Sequence, residues 1–296
     1  MTKVMLGSLL ENEPLSHYSS WQAGGVAKHL YKPNGREDLC HFLKQLPLDE
    51  PLLWLGLGSN TLIRDGGFPG TVIVTQGSLN NLMLTDSNRV TAEVGVSCAS
   101  LARFTARQNL SGIEFLAGVP GTVGGALRMN AGCFNGQTWE HVVEVETIDR
   151  QGQISIKKPE DFSIAYRHIS PLNPASEQWF LSGTFQLKPG NKEHSLNMIK
   201  ELLERRARTQ PINEANCGSV FRNPPNDFAA RLIEECGLKG HRIGGALVST
   251  KHANFIVNDG TAKASDIENL IEFVQQRVTE QTGISLIREV HIVGNY

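Results

Sequence analysis

The sequence has no C-x-x-C pair and no cysteine–histidine spacing of the kind that holds zinc. Its five cysteines (Cys40, Cys98, Cys133, Cys217 and Cys236) are scattered and odd in number, so no disulfide framework is expected, and reduced thiols in the cytoplasm are. No stretch approaches the ~20 apolar residues that cross a bilayer. Residues 1–14 carry one lysine and a short apolar run broken by Glu11 and Glu13, which is not the pattern of a secretion signal. Neither sign of charge is in excess, with 28 Lys and Arg against 30 Asp and Glu. Bulk electrostatics therefore speak against nucleic acid or a membrane surface as partner, and an anionic substrate would need a local cluster of cations. Also missing are internal repeats, low-complexity linkers, the G-x-x-x-x-G-K-[S/T] loop of P-loop nucleotidases and the G-x-S-x-G elbow of serine hydrolases.

Glycine, by contrast, is plentiful at 29 of 296 residues, above the norm of about 7%. Five of these fall in Gly118-Val-Pro-Gly-Thr-Val-Gly-Gly-Ala-Leu-Arg-Met-Asn-Ala-Gly132, which holds no acidic side chain. Ordering a glycine costs more backbone entropy than ordering any other residue. That cost is usually met where backbone N–H groups must close on something negative, often a diphosphate. A glycine-rich turn between two core segments is the structural alternative. Gly56-Leu-Gly-Ser-Asn-Thr61 follows the apolar run 52–55 and offers a second phosphate nest through Gly56, Gly58 and the Ser59 hydroxyl. It is not a dinucleotide fingerprint, because Thr61 replaces the third glycine and residues 62–67 read as a turn and not a helix.

A chain of this length can hold two or three domains. A helix at 36–46, stopped by Pro47, lies between strands expected at 52–55 and 71–75. A strand-rich α+β region follows, with strands at 89–96, 142–149, 153–157, 164–166 and 179–187 and a helix at 100–108. A helix at 195–208 ends in Arg205, Arg206 and Arg208. Beyond it are helices at 227–236 and 264–282 and strands at 253–257 and 286–293, with Ile267, Leu270, Ile271, Val274 and Val278 on one helix face.

Several side chains could carry chemistry, and each has a structural alternative. Ser219, in Cys217-Gly-Ser-Val-Phe-Arg-Asn-Pro-Pro225, is a nucleophile, a proton donor, or simply small. Arg167, after Tyr166, closes a strand, where a solvated ion pair is the common role. Strand alternation groups Glu289 with Ile287 and Val293 on a mostly apolar face beside His291, although a salt bridge to Arg288 would also explain it. His252 and Asn254 flank a strand start and could cap it.

Taken together and in order, these stretches resemble the UDP-N-acetylenolpyruvoylglucosamine reductases, flavin enzymes of bacterial cell-wall precursor synthesis. The matching pieces are Trp21-x-x-Gly-Gly25, Gly56-x-Gly-Ser-Asn60, Gly118-x-Pro-Gly-x-x-Gly-Gly-Ala126 through Asn130-Ala-Gly132, Tyr166-Arg167, Cys217-Gly-Ser-Val-Phe221 with Asn223-Pro224, His252-Ala-Asn-Phe-Ile256 and Glu289-Val290. The resemblance implies an α+β fold in which a two-part FAD-binding region of the vanillyl-alcohol-oxidase (PCMH) type precedes a C-terminal α+β substrate domain. The implied divisions are 1–76, 77–204 and 205–296, and the short segment 168–218 marks the type II form. Departures are Ser170 standing third after Tyr166-Arg167 and Phe134 where many members have tyrosine.

What the resemblance implies for the site is equally specific. Non-covalent FAD would be held by Gly56, Leu57, Gly58, Ser59, Asn60, Thr61, Gly118, Pro120, Gly121, Thr122, Val123, Gly124, Gly125, Asn130, Ala131 and Gly132. Tyr166, Arg208, Asn223, His252 and Asn254 would contact substrate, and no metal is implied. NADPH would reduce the flavin and leave before UDP-N-acetylglucosamine enolpyruvate enters. Hydride from flavin N5 and a proton from Ser219 would give UDP-N-acetylmuramate, with Arg167 and Glu289 stabilising the charge on the carboxylate. A cytoplasmic monomer is expected. The rival readings are an FAD-dependent oxidase of the same flavin-binding superfamily, against which the Ser219 and Glu289 pairing argues, and a nucleotide-sugar-binding protein without turnover.

Overall fold

The computed structural model describes residues 7–173 and 177–296. Residues 1–6, within the stretch read against a secretion signal, and 174–176, in the loop after Tyr166-Arg167, lie outside the described residues. Among the described residues no helix is long and apolar enough to cross a membrane. The mix of helices and strands is α+β. By compactness the chain forms two units, one of residues up to Leu10 with Leu30–Gly56 and Thr71–Glu204, the other of Glu11–His29, Leu57–Gly70 and Arg205–Tyr296.

The first unit is built on a five-stranded antiparallel sheet in the order Ile154–Lys157, Val142–Asp149, Gln178–Gln186, Arg89–Glu93, Leu82–Asp86. Four of these strands correspond to those expected at 89–96, 142–149, 153–157 and 179–187. The fifth, Leu82–Asp86, was not expected; it is an edge strand whose Met83 and Leu84 are exposed. In a further parallel pair, Leu52–Leu55 lies beside Phe68–Val74, Leu52 opposite Thr71. Helix Arg36–Gln45 buries Leu39 and Leu43 with Ile73, Leu79, Val94, Ile148 and Leu181. Its first residue, Arg36, is ion-paired with Glu93 and Glu146. Helix Cys98–Arg107 starts two residues before the expected 100 because the Ser97 side chain accepts the Ser100 N–H at 3.0 Å.

The glycine-rich stretch contains a short helix, Val123–Met129. Two glycines each cost about 1 kcal/mol relative to alanine in a helix, so propensity gave no sign of it. Burial of Val123, Ala126 and Leu127 in the unit's core decides the outcome.

The second unit gathers three separate segments around one core. Its sheet has the order Ala215–Asn216, Ile256–Asn258, Ala246–Val248, Arg242–Ile243. Helix Ala264–Thr282 buries the expected stripe of Ile267, Leu270, Ile271, Val274 and Val278, and Asp65 receives the N–H groups of Ala264 and Ser265 at its start. Trp21 is wholly buried in this core. Its indole N–H donates to the Ile256 carbonyl at 2.8 Å, and Asn258 Nδ2 donates to the Trp21 carbonyl at 2.7 Å.

The last strand is shorter than the sequence suggested. Only His291–Val293 is extended, paired in parallel with Thr61–Ile63. Residues 286–290 lie outside any strand, so the alternation that grouped Glu289 with Ile287 and Val293 does not hold; Ile287 is 63% exposed while Leu286 and Val290 are buried. The physical reason is that Glu289 and Val290 both direct their N–H groups to the Val220 carbonyl.

Replacing Trp21 with alanine should cost about 3–5 kcal/mol, the range for deleting a buried tryptophan. Urea unfolding followed by circular dichroism would measure it, and a loss below about 1 kcal/mol would refute the central place given to this side chain.

Candidate active site

In the first unit, Val123 and Gly124 donate their N–H groups to the carbonyls of Val96 (2.8 Å) and Val94 (3.0 Å). Two of the amides expected at a diphosphate are thus engaged inside the protein. Unused donors concentrate at Thr122 and Gly125. The buried Thr122 hydroxyl has no hydrogen-bond partner, and no acceptor among the described residues takes the backbone N–H of either residue. A Cβ on Gly125 would meet nothing within 4 Å, so the approach is open. An unpaired buried hydroxyl costs about 1–3 kcal/mol; the cluster suits an acceptor that the polypeptide does not supply, and an anionic diphosphate such as that of FAD fits it. Gly56 faces the same hydroxyl, where a Cβ would lie 2.3 Å from Thr122 Oγ1.

Asn130-Ala-Gly132, also expected at the cofactor, anchors a hairpin. Asn130 caps the short helix in the left-handed conformation. Its Nδ2 donates to Gln137 Oε1 and the Ala165 carbonyl, and its Oδ1 accepts the Trp139 N–H. The Ala131 carbonyl accepts from the N–H and hydroxyl of Thr138. Gly118 packs beside the Phe134 ring and Cys133 Sγ, while Gly121, three residues on and just past Pro120, accepts the Cys98 N–H at 3.0 Å.

Arg167 and Tyr166 form the two-residue tip of the hairpin Phe162–Ala165 with His168–Pro171, where Ala165 pairs with His168. Arg167 has φ +54°, a left-handed conformation that costs a non-glycine residue roughly 1–2 kcal/mol. Its guanidinium donates to the carbonyls of Asn130 (3.3 Å) and Gly132 (2.6 Å) and stacks 4.9 Å over the exposed Tyr166 ring. Strain of this kind persists where surrounding structure enforces it and commonly marks a functional position.

In the second unit, Gly58 is held where a Cβ would strike the Tyr18 carbonyl at 1.9 Å, with φ +62°. Its own carbonyl accepts the Ser20 N–H and the Cys217 thiol. Burial pushes that thiol up to about 12, so Cys217 is inert packing. Leu57 and Ser59 flank Gly58 on a half-buried loop, and the Thr61 carbonyl accepts the Ser19 hydroxyl at 3.4 Å. Asn60 turns its amide to the Glu289 carbonyl at 3.1 Å.

Ser219 follows Gly218, which has φ +74°, and among the described residues nothing is hydrogen-bonded to its hydroxyl. Val220 connects it to Glu289: the Val220 carbonyl accepts the Glu289 N–H at 2.8 Å. Asn254 is 4% exposed, and its side-chain amide bonds both backbone groups of Phe221. Asn223, exposed, caps helix Ala229–Glu235 by accepting the Ala229 N–H at 3.1 Å. Arg208 is exposed in the last turn of helix Lys192–Thr209. His252 has a buried Nδ1 without a partner and packs edge-on against Phe255 at 4.7 Å; desolvation lowers its pKa below 6.5. Sequence reasoning missed the links made by Asn60 and by Asn254 to Phe221, because both run between residues far apart in the chain.

Comparison with known proteins finds two families along the chain. Residues 27–156 match the family described as FAD binding domain, and residues 210–293 match UDP-N-acetylenolpyruvoylglucosamine reductase, C-terminal domain. An FAD-binding domain followed by that C-terminal domain defines a flavin-dependent oxidoreductase. A UDP-N-acetylenolpyruvoylglucosamine reductase of Legionella pneumophila (strain Corby) is 64% identical over 290 residues, 98% of this chain and 93% of that one. One from Alkalilimnicola ehrlichii is 54% identical over 292 residues, 99% of this chain and 97% of its own. The crystal structure of UDP-N-acetylenolpyruvylglucosamine reductase (MurB) from Thermus caldophilus superposes with a TM-score of 0.81 at 33% identity, covering 98% of this chain and 99% of that one. The chain belongs to the UDP-N-acetylenolpyruvoylglucosamine reductase family.

Two measurements check this geometry. Thr122→Val keeps the shape and removes the orphaned hydroxyl, so it should stabilise the flavin-free protein by about 1 kcal/mol while weakening FAD binding; tighter binding would contradict the assignment. For His252 the unfolded chain takes up a proton first as pH falls, since the folded pKa lies below 6.5. Stability should therefore decline as pH drops below 6.5 toward the folded pKa, and His252→Gln should flatten that slope in a series of thermal melts.

Proposed function

We propose that this chain reduces UDP-N-acetylglucosamine enolpyruvate to UDP-N-acetylmuramate in the cytoplasm, with NADPH as reductant and FAD held non-covalently. The observation that carries the reading is the bond from the Glu289 N–H to the Val220 carbonyl, which sets an acid-capable side chain beside the segment bearing an unengaged serine hydroxyl. In the first unit, Thr122 and Gly125 would hold the cofactor's diphosphate; in the second, Ser59 and Thr61 offer hydroxyl groups. When bound, FAD would supply the hydride chemistry that links NADPH to the terminal carbon of the enolpyruvyl group.

Adding hydride to that carbon drives an electron pair into the adjacent carboxylate. The Arg167 guanidinium is a fixed fork that can hold this charge through two N–H groups. Glu289, if protonated, donates a hydrogen bond to the same carboxylate. The Ser219 hydroxyl gives its proton to the neighbouring carbon and recovers one from solvent, so one hydride and one proton are added overall. A serine is a weak acid, and it serves here because the acceptor is a strong, carbanion-like base. Arg208 supplies positive charge for the substrate diphosphate, and Tyr166, Asn223 and His252 make its remaining contacts.

Ser219→Ala should lower kcat on the order of 10²–10³-fold, as when an oxyanion donor is lost. Flavin content and bleaching of the flavin band by NADPH should be unchanged, with recovery of the band on adding substrate becoming slow. Normal turnover by this variant would falsify the assignment of Ser219 as proton donor.

A further inference from the structure

Asn254 was expected to touch substrate, yet its surroundings give it a different task. The side chain is 4% exposed. Oδ1 accepts the Phe221 N–H at 3.0 Å and Nδ2 donates to the Phe221 carbonyl at 2.8 Å. Both functions of the amide meet one residue, so the side chain imitates the backbone of a paired strand where no strand runs. The Asn254 carbonyl takes the next group along, the Val220 N–H, at 2.9 Å. Among the described residues, the hydrogen bonds to Val220 N–H and to both backbone groups of Phe221 on this side all come from Asn254.

On the other side the Val220 carbonyl accepts the Glu289 N–H at 2.8 Å, and Arg222 donates its N–H to the Ile287 carbonyl at 2.9 Å. The Glu289 carbonyl in turn accepts from Asn60 Nδ2 at 3.1 Å, and the Asn60 carbonyl accepts the His291 N–H at 3.0 Å. One continuous set of hydrogen bonds therefore runs from Asn254 through Val220 to Glu289 and Asn60. Ser219 is attached directly to Val220 and, among the described residues, has no hydrogen bond of its own to orient it.

We propose that Asn254 is a positioning residue that sets the Ser219 backbone against the Glu289 backbone, and that it does not contact substrate. The role rests on the reading of Ser219 as proton donor. Only asparagine meets the geometry: aspartate lacks the donor for the Phe221 carbonyl, glutamine is one methylene too long, and serine offers a single polar atom. Displacing a reacting group by about 1 Å can cost on the order of 10²-fold in rate, so loss of the Phe221 clamp falls on proton delivery.

The test compares flavin-loaded wild-type protein with Asn254→Ala, Ser219→Ala and the double variant by stopped-flow. Asn254→Ala is expected to slow reoxidation of the reduced enzyme by the enolpyruvyl substrate on the order of 10–10²-fold, while reduction by NADPH stays within about twofold of wild type and KM for substrate changes little. In the Ser219→Ala background the same substitution should produce no further loss, since it acts through that hydroxyl. Hydrogen exchange, read without substrate, should show lost protection at Val220, Phe221 and Glu289. Should Asn254→Ala yield no soluble flavoprotein, Asn254→Asp fills the same volume, sets an oxygen against the Phe221 carbonyl and carries the same comparison.

A raised KM with unchanged reoxidation would instead make Asn254 a substrate contact, and equal slowing of both half-reactions would make it merely structural; either overturns the proposal. So would full multiplicative losses in the double variant. A defective Ser219→Ala beside an unaffected Asn254→Ala removes the positioning role alone, whereas wild-type turnover by Ser219→Ala removes the donor reading and this role with it.

Discussion

The buried indole of Trp21 holds together chain segments that lie at opposite ends of the sequence. Its N–H reaches the Ile256 carbonyl, and the Trp21 backbone carbonyl receives the Asn258 amide. Each bond spans more than two hundred residues of sequence, and both are shielded from water, where a lost partner leaves an unpaid desolvation of about 1–3 kcal/mol. They fasten residues 11–29 to the C-terminal core, in which Trp21 and Ala23 are buried. The Gly58 loop depends on the same arrangement, because Gly58 receives Ser20 and lies against the Tyr18 carbonyl. A wet, exposed tryptophan could not do this, since the geometry needs a rigid donor inside a packed interior.

What was legible in the sequence is what is local. Helix Ala264–Thr282 was readable because five aliphatic residues at helical spacing leave one face with no soluble alternative. Strands Val142–Asp149 and Leu52–Leu55 carried their own pattern. The failures have equally physical causes. Helix Val123–Met129 carries two glycines and forms because its apolar residues are buried in the core, not because its sequence favours a helix. The stretch before His291 alternates on paper, but its backbone N–H groups go to Val220, a partner that no local pattern can reveal.

The same distinction separates the parts of the site. Glycine content pointed to 118–132, and the unused donors at Thr122 and Gly125 lie within it. Composition could not say which amides are free, because Val123 and Gly124 meet Val96 and Val94 only once the fold is formed. Gly56 and Gly58 looked alike as nest residues, yet each is required by a close neighbour, Thr122 in one case and the Tyr18 carbonyl in the other. The family resemblance implies roles for these residues; which of their groups already have partners within the protein is decided by the fold.

On the proposed function, pre-organisation accounts for two local disadvantages of the ligand-free chain. Arg167 sits in a left-handed conformation, and Thr122 buries an unpaired hydroxyl, each destabilising by about 1–3 kcal/mol. Both are fixed before any ligand arrives: the guanidinium by the carbonyls of Asn130 and Gly132, the hydroxyl by its place in the core. Donors aimed in advance need no reorganisation as charge develops, which is where such groups gain most of their effect. The free energy given up in the ligand-free chain returns on binding, since a ligand that recognises only the folded form stabilises it by RT ln(1 + [L]/Kd). Thr122 and Arg167 both belong to the first unit, where Val123, Ala126 and Leu127 beside Thr122 are buried in the core and contribute stability against that cost.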